Sequence, residues 1–170
     1  MAKFLRRNAA NGRIEEESGV TASAGAGDVG KIPQLDATGK LDATIMPSGI
    51  GAETESATAT EALAAGDFVN MYDNAGVKSV RKADGSSAGK EASGFVAAAF
   101  AASAVATIFT DGANNQRTGL TAGATYYLAA TPGGVTLAPL ATAGQVHQRL
   151  GKASTATSLV FEHFDAITLA

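Results

Sequence analysis

The sequence predicts an all-β fold: a small β-barrel or sandwich of eight or nine short strands, preceded by a long extended N-terminal arm. Three observations predict it. Short β-branched and aromatic runs recur through residues 58–170, separated by Gly-, Asn- and Asp-rich turns at the spacing of a sandwich or barrel. Residues 1–57 scatter their apolar positions among Gly, Ala, Asp and Pro, with no period that would build a core. Large apolar side chains are also scarce: Trp is absent and aromatics make up 6%, so Ala supplies much of the 45% apolar content. Each Ala buries little area at about 25 cal/mol per Å². A core this thin favours oligomerisation.

The 170 residues suit one ordinary domain plus an appendage. The expected division is an arm and linker over 1–57 and a β domain over 58–170. Within the arm, Lys3, Arg6, Arg7 and Arg13 precede Glu15, Glu16 and Glu17, which predicts a polar docking tip on a short helix or extended tail. Val20 to Gly30 is rich in Gly and small residues, which cost much ordering entropy and return little burial, so a flexible spacer is expected. In the next stretch Leu35-Asp36-Ala37-Thr38 recurs as Leu41-Asp42-Ala43-Thr44. Six positions is an even offset, which in an extended chain puts both leucines on one face. Pro33 and Pro47 disfavour helix near the ends, and Gly39 marks a turn. The segment is expected to be extended or hairpin-like, with Ile32, Leu35, Leu41, Ile45 and Met46 as anchors.

In the β domain, Thr58 to Ala64 leads into Phe68-Val69-Asn70-Met71-Tyr72. Asp73-Asn74-Ala75-Gly76 is a turn signal, and Val77 to Lys82 alternates apolar and polar residues with period two. Gly94 to Phe100 and Val105 to Thr110 are expected as two buried strands; the Ala-rich stretch Ala97 to Ala106 also suits helix, but its β-branched flanks favour strand. Asp111 to Arg117 is expected as an exposed loop. Thr125 to Ala129, Val135 to Leu137, Gln145 to Lys152 and Ser158 to Phe164 complete the set.

Little catalytic equipment is present. Gly25 to Lys31 matches a phosphate-loop pattern up to the lysine, but Ile32 replaces the magnesium-holding hydroxyl, Pro33 disturbs the required helix and no strand precedes the glycines. The absence of cysteine removes thiolate metal sites, disulfides and cysteine nucleophiles. His147 and His163 are the two histidines; neither adjoins a nucleophile-elbow pattern, and zinc would need carboxylates gathered from several strands. Asp111 to Asn115 lacks the spacing and terminal Glu of a calcium loop. Tyr126 and Tyr127 face opposite ways on a strand, which puts one in the core and the other at an interface. A paired-carboxylate glycosidase site is not arranged recognisably. No catalytic residue, cofactor or metal is therefore expected, and the protein is predicted not to be an enzyme.

The net charge of −3 gives no footprint for nucleic acid or an anionic membrane. The longest apolar stretch, Phe95 to Phe109, is shorter than a membrane helix needs. No apolar core follows the basic N-terminus, so no signal peptide is expected.

The segment GKIPQLDATGKLDATIMPSG resembles a junction that precedes β-rich domains in tailed-bacteriophage virion proteins. Leu120 to Phe164, with its Leu-x-x-Gly-x-x-Tyr-Tyr-Leu strand and Gly-Gly turn, resembles the C-terminal half of β domains in phage decoration and appendage proteins. The resemblance implies a virion structural protein, most like a capsid decoration (cement) protein on the outer surface of the capsid. Its partners would be the major capsid protein and itself, as a homotrimer or homodimer. Ile32, Leu35, Leu41, Ile45 and Met46 would dock on the capsid, with terminal contacts from Lys3, Phe4, Arg6 and Arg7. The alternative is a tail or baseplate adaptor or a short receptor-binding protein, its loop near Asn114 and Asn115 touching a host glycan. Shaft repeats of a long fibre are absent from the sequence.

Overall fold

Opposite charges on two neighbouring runs shape the first element. Strand β1 (Lys3–Arg7) pairs antiparallel with β2 (Ile14–Ser18), which sets Lys3 opposite Ser18, Leu5 opposite Glu16 and Arg6 opposite Glu15. In the computed structural model, which describes residues 3–46 and 52–170, the chain is all-β and forms two compact units, Met1–Gly51 and Ala52–Ala170. The expected extended arm is thus replaced over its first part by a β-hairpin, not a short helix or tail. The predicted spacer is also shaped: Val20 N–H donates to the Ile32 carbonyl and Gln34 N–H to the Val20 carbonyl, a parallel bridge that closes a loop over 20–33. Pro47, and with it the end of the expected anchor segment, lies outside the described residues.

The larger unit begins with β3 (Thr54–Ala59), which straddles the 57/58 boundary read from composition. It is followed by β4 (Phe68–Asn74), β5 (Val77–Lys82), β6 (Gly94–Phe95) and β7 (Val105–Phe109). Their pairings form a closed circuit, β3-β5-β4-β6-β7, with β3 parallel to β5 and antiparallel to β7. Inside lie Ala57, Ala59, Leu63, Val69, Val80, Val96, Ala106 and Ile108. Five strands enclose little room, so the Ala content that looks too thin for a core fits this interior.

A second sheet runs in the order β10-β9-β12-β13-β8. Its members are β8 (Gly112–Asn114), β9 (Thr125–Leu128), β10 (Val135–Thr136), β12 (Arg149–Ala153) and β13 (Leu159–Phe161). The short strands β11 (Val146–His147) and β14 (Ile167–Thr168) pair with one another. The main core is shared between the sheets: Phe68 and Phe95 of the first pack with Tyr126, Leu128, Leu150, Leu159 and Phe161 of the second. The Phe68 and Phe161 rings meet edge-on at 5.4 Å, and Phe95 stacks on Phe109 at 5.3 Å. Neighbouring residues on β4, Phe68 and Val69, face the two different cores, as strand alternation requires.

Several expected elements differ. The larger unit has twelve strands, not eight or nine. The run expected as a strand over Gly94–Phe100 pairs as a strand only at Gly94–Phe95 and makes one further bridge, Phe100 to Leu63. Ala101 to Ala104 then turn, with Ser103 at φ 67 and its N–H on the Ala59 carbonyl. Alanine contributes neither β-branching nor a period, so tertiary hydrogen bonds decide this stretch. β7 alternates buried and exposed positions, so it is half-buried.

Candidate docking surface

The hairpin β1–β2 is built by complementary side chains. Lys3 Nζ lies 2.6 Å from Glu16 Oε2, and Arg6 Nε 3.0 Å from Glu17 Oε2. Its connection uses two asparagines that turn the chain on themselves: Asn8 Oδ1 accepts from Ala10 N–H and Asn11 Oδ1 from Arg13 N–H. Their amide groups both donate to Glu15, each at 2.9 Å. These bonds, Asn11's foremost, hold the Glu15 carboxyl below the ordinary glutamate value.

Alternation divides the hairpin into two faces. Phe4 turns towards Gly19, where a Cβ would stand 2.9 Å from the Phe4 ring and 2.7 Å from Gln34 Oε1. Leu5 and Ile14 lie diagonally across the opposite face and are 75% and 72% exposed. Among the described residues of this unit whose burial is defined, Gly19 is the only one buried.

Among the described residues, the rest of the unit consists of turns closed by aspartates and two single-turn 3-10 helices, Ala26–Asp28 and Ala43–Ile45. Asp28 accepts from Ala24 N–H at 2.6 Å and pairs with Lys31 at 2.9 Å, and these contacts, the Ala24 bond first, hold its carboxyl below the ordinary value. Lys31, the lysine of the phosphate-loop pattern, is thereby engaged by an acid. The two Leu-Asp-Ala-Thr copies share one local structure. Asp36 Oδ1 accepts from the Thr38 N–H and hydroxyl, and Asp42 Oδ1 accepts from the Thr44 N–H and hydroxyl. Each copy is an Asx turn, not an extended run with its leucines on one face. Gly39, at φ 77, completes a reversal in which Asp36 N–H reaches the Lys40 carbonyl. Thr44 Oγ1 also accepts from Ser23 N–H, which ties the second turn to the loop over 20–33.

The expected capsid contacts are therefore placed as follows. Ile32, Leu35, Leu41 and Met46 are exposed, and Ile45 and Phe4 are half-buried. Lys3 and Arg6 are engaged by Glu16 and Glu17 within the hairpin, while Arg7 is exposed and Nε donates to the Gly12 carbonyl at 3.4 Å. Sequence reasoning did not single out Leu5, Ile14 and Val29, which are among the most exposed large apolar side chains. The signal was present: a basic run, an Asn-rich turn and an acidic run describe a charge-matched hairpin.

In the larger unit Asn114 is fully buried and donates to the Gly66 carbonyl at 2.9 Å, which corrects its expected place in an exposed loop; Asn115 is exposed. The β8 pairing with β13 draws Asn114 inward. Tyr126 is buried with its hydroxyl accepting from Thr121 N–H, and Tyr127 is half-buried beside His147. His163 is exposed. An open hollow of about 400 Å³ beside β4 and β5 is lined by Met71, Tyr72, Asp73, Gly76 and Lys78. Among the described residues, no group of three or more His, Asp or Glu is placed to hold a metal ion. No family model, curated protein or solved structure matches the chain.

Proposed function

We propose that this chain is a non-enzymatic structural protein of a tailed-bacteriophage head, which decorates the capsid by docking its N-terminal unit on the major capsid protein lattice. One observation carries the reading. Among its described residues, the N-terminal unit buries almost nothing of its own yet leaves Leu5, Ile14, Val29, Ile32, Leu35, Leu41 and Met46 in water. An isolated two-stranded hairpin is marginal in water, and a partner surface supplies the missing burial at about 1.5–3 kcal/mol per large side chain. The outer edges of β1 and β2 also suit addition to a strand of that partner.

In this reading the five-strand circuit serves as a small β-barrel, and copies associate as trimers or dimers that bridge neighbouring capsid subunits. A shell presents the same site many times, so an oligomer with several N-terminal units gains avidity from each engagement. The grip belongs to a folded hairpin and a set of turns rather than to an unstructured strap, which lowers the ordering cost of docking.

Copy number in purified particles, counted by quantitative mass spectrometry, tests the proposal. A head decoration protein requires on the order of hundreds of copies, in proportion to the symmetric shell. A count confined to a few or to dozens moves the protein to the tail, and absence from the particle overturns the reading.

A further inference from the structure

We infer that the face carrying Tyr127, His147 and Arg149 is a binding site for a saccharide bearing an oxyanion, either a carboxylate or a phosphate. The inference is independent of whether the protein sits on a head or a tail. Alternation along the chain puts Val146, Gln148 and Leu150 inside and leaves His147 and Arg149 half-buried on the other side. Pairing places Tyr127 beside Arg149 on one flank and Thr136 on the other. The Tyr127 and His147 rings meet edge-on at 5.2 Å.

What distinguishes this cluster is that its polar atoms are uncommitted. Among the described residues, the Tyr127 hydroxyl, the His147 ring nitrogens and the Arg149 guanidinium make no hydrogen bond to the protein, and no carboxylate pairs with Arg149. The other part-buried arginines are engaged: Arg81 donates to Asn70 and Gly89, and Arg117 to Gly66 and Gly133. Arg149 instead stacks over the Phe164 ring, its central carbon 4.5 Å from the centroid, which fixes the plane of the fork.

Its Nε is buried without a partner. A carboxylate or phosphate oxygen meeting the outer Nη groups gains charge-assisted hydrogen bonds. Lys152, exposed and paired in register with Thr125, adds a second cation one step along the sheet. The Tyr127 hydroxyl and the His147 imidazole supply neutral donors and acceptors beside these charges, which suits a ligand carrying hydroxyls as well as an anion.

The test is an NMR titration of the full chain, following the His147 ring and the Arg149 Nε–H, with glucuronate, glucose 6-phosphate, glucose and inorganic phosphate. Saturable shifts with glucuronate or glucose 6-phosphate are expected, and whichever acid acts identifies the anion. Glucose and inorganic phosphate should bind at least about tenfold more weakly, as should the acid sugar to Arg149→Gln. Tyr127→Phe, a milder change, should also weaken binding while leaving the spectrum of the core unchanged. Absence of saturable shifts with both acid sugars overturns the inference, as does equal binding of glucose or full binding by Arg149→Gln. Inorganic phosphate binding as tightly as the sugar phosphate overturns the saccharide assignment.

Discussion

Gln148 and Ala92 hold each other by a reciprocal pair of hydrogen bonds: Ala92 N–H donates to Gln148 Oε1 at 2.7 Å, and Gln148 Nε2 donates to the Ala92 carbonyl at 2.9 Å. The side-chain amide thus does what a neighbouring strand would do, and both partners are almost fully buried. Gln148 Nε2 also reaches the Phe164 carbonyl at 3.3 Å, so one side chain joins three segments of the larger unit.

Replacing Gln148 by Leu keeps the volume similar but leaves the Ala92 N–H and carbonyl without partners. The expected cost is roughly 2–6 kcal/mol, for two buried backbone groups at about 1–3 kcal/mol each. Denaturant unfolding of the full chain reads it as a lowered midpoint with an unchanged slope.

Gly151 gives a second, backbone-level prediction. It lies at φ 144 opposite Phe161, beside a bulge in the β9–β12 pairing, and a Cβ there would overlap the Val160 carbonyl oxygen. The obstacle is backbone, which no side-chain rotation relieves. Gly151→Ala is expected to cost about 3 kcal/mol or more, which places it among the strongly destabilising single changes. Equal stability to the parent chain would contradict the close approach.

These two sites mark the boundary of what the sequence made legible. The existence of the β4–β5 hairpin was readable from its turn, although β4 runs two residues further, to Asn74, than the expected strand. Ala75 and Gly76 form a two-residue loop with φ 53 and 86, the positive pair that suits the strand twist. The expected period-two alternation of Val77 to Lys82 does not hold: the two valines are three positions apart and face opposite sides, so Val80 is buried and Val77 exposed. Thr125 to Leu128 and Leu159 to Phe161 were similarly plain from their aromatic and β-branched content. By contrast, the inward turn of Asn114 depends on a partner strand far along the chain, and Gly151 carries no side chain to announce its neighbour. In the N-terminal unit, the repeated Leu-Asp-Ala-Thr was visible but its meaning was local: the aspartates close turns, and a period-two argument about the leucines had no strand to act on. The exposure of Ile32, Leu35, Leu41 and Met46 was legible because nothing nearby in sequence could bury them. Leu5 and Ile14 were masked by the charges around them.

Gly19 tests the small cluster of the N-terminal unit. Gly19→Val drives a side chain against Gln34 and the Phe4 ring. Hydrogen exchange is expected to show faster exchange at the Val20 and Gln34 amides, which form the bridge with residues 32 and 20. Core amides of the larger unit, such as those of Val80 and Ile108, should exchange as before. Unchanged protection at Val20 and Gln34 would show that the cluster does not maintain the loop.

Asp84 predicts a pH dependence. Burial alone would raise its carboxyl, but the Ser86 hydroxyl, Lys90 Nζ at 3.1 Å and the Ser86 N–H at 3.0 Å outweigh it and hold it below the ordinary aspartate value. A depressed folded-state value means that the ionised form is the one the fold favours. Its contribution is therefore complete above the unfolded value of about 3.9 and is lost as pH falls through the lower folded value. Asp84→Asn should remove that portion of the acid sensitivity, so the stability difference between parent and variant should shrink as pH falls below about 4. A difference independent of pH across that window would refute the assignment.

The most direct measurement of the central claim is occupancy on purified capsids that lack this protein, compared for the full chain, a Leu5→Glu/Ile14→Glu double variant and a chain beginning at Ala52. Both apolar cores lie wholly within the larger unit, so the shortened chain retains its packing and its fold is checked by the same hydrogen-exchange pattern. Docking through the exposed N-terminal side chains requires that the shortened chain leave the capsid bare and that the double variant bind at least about tenfold more weakly. Full occupancy by the folded chain beginning at Ala52 would contradict the account.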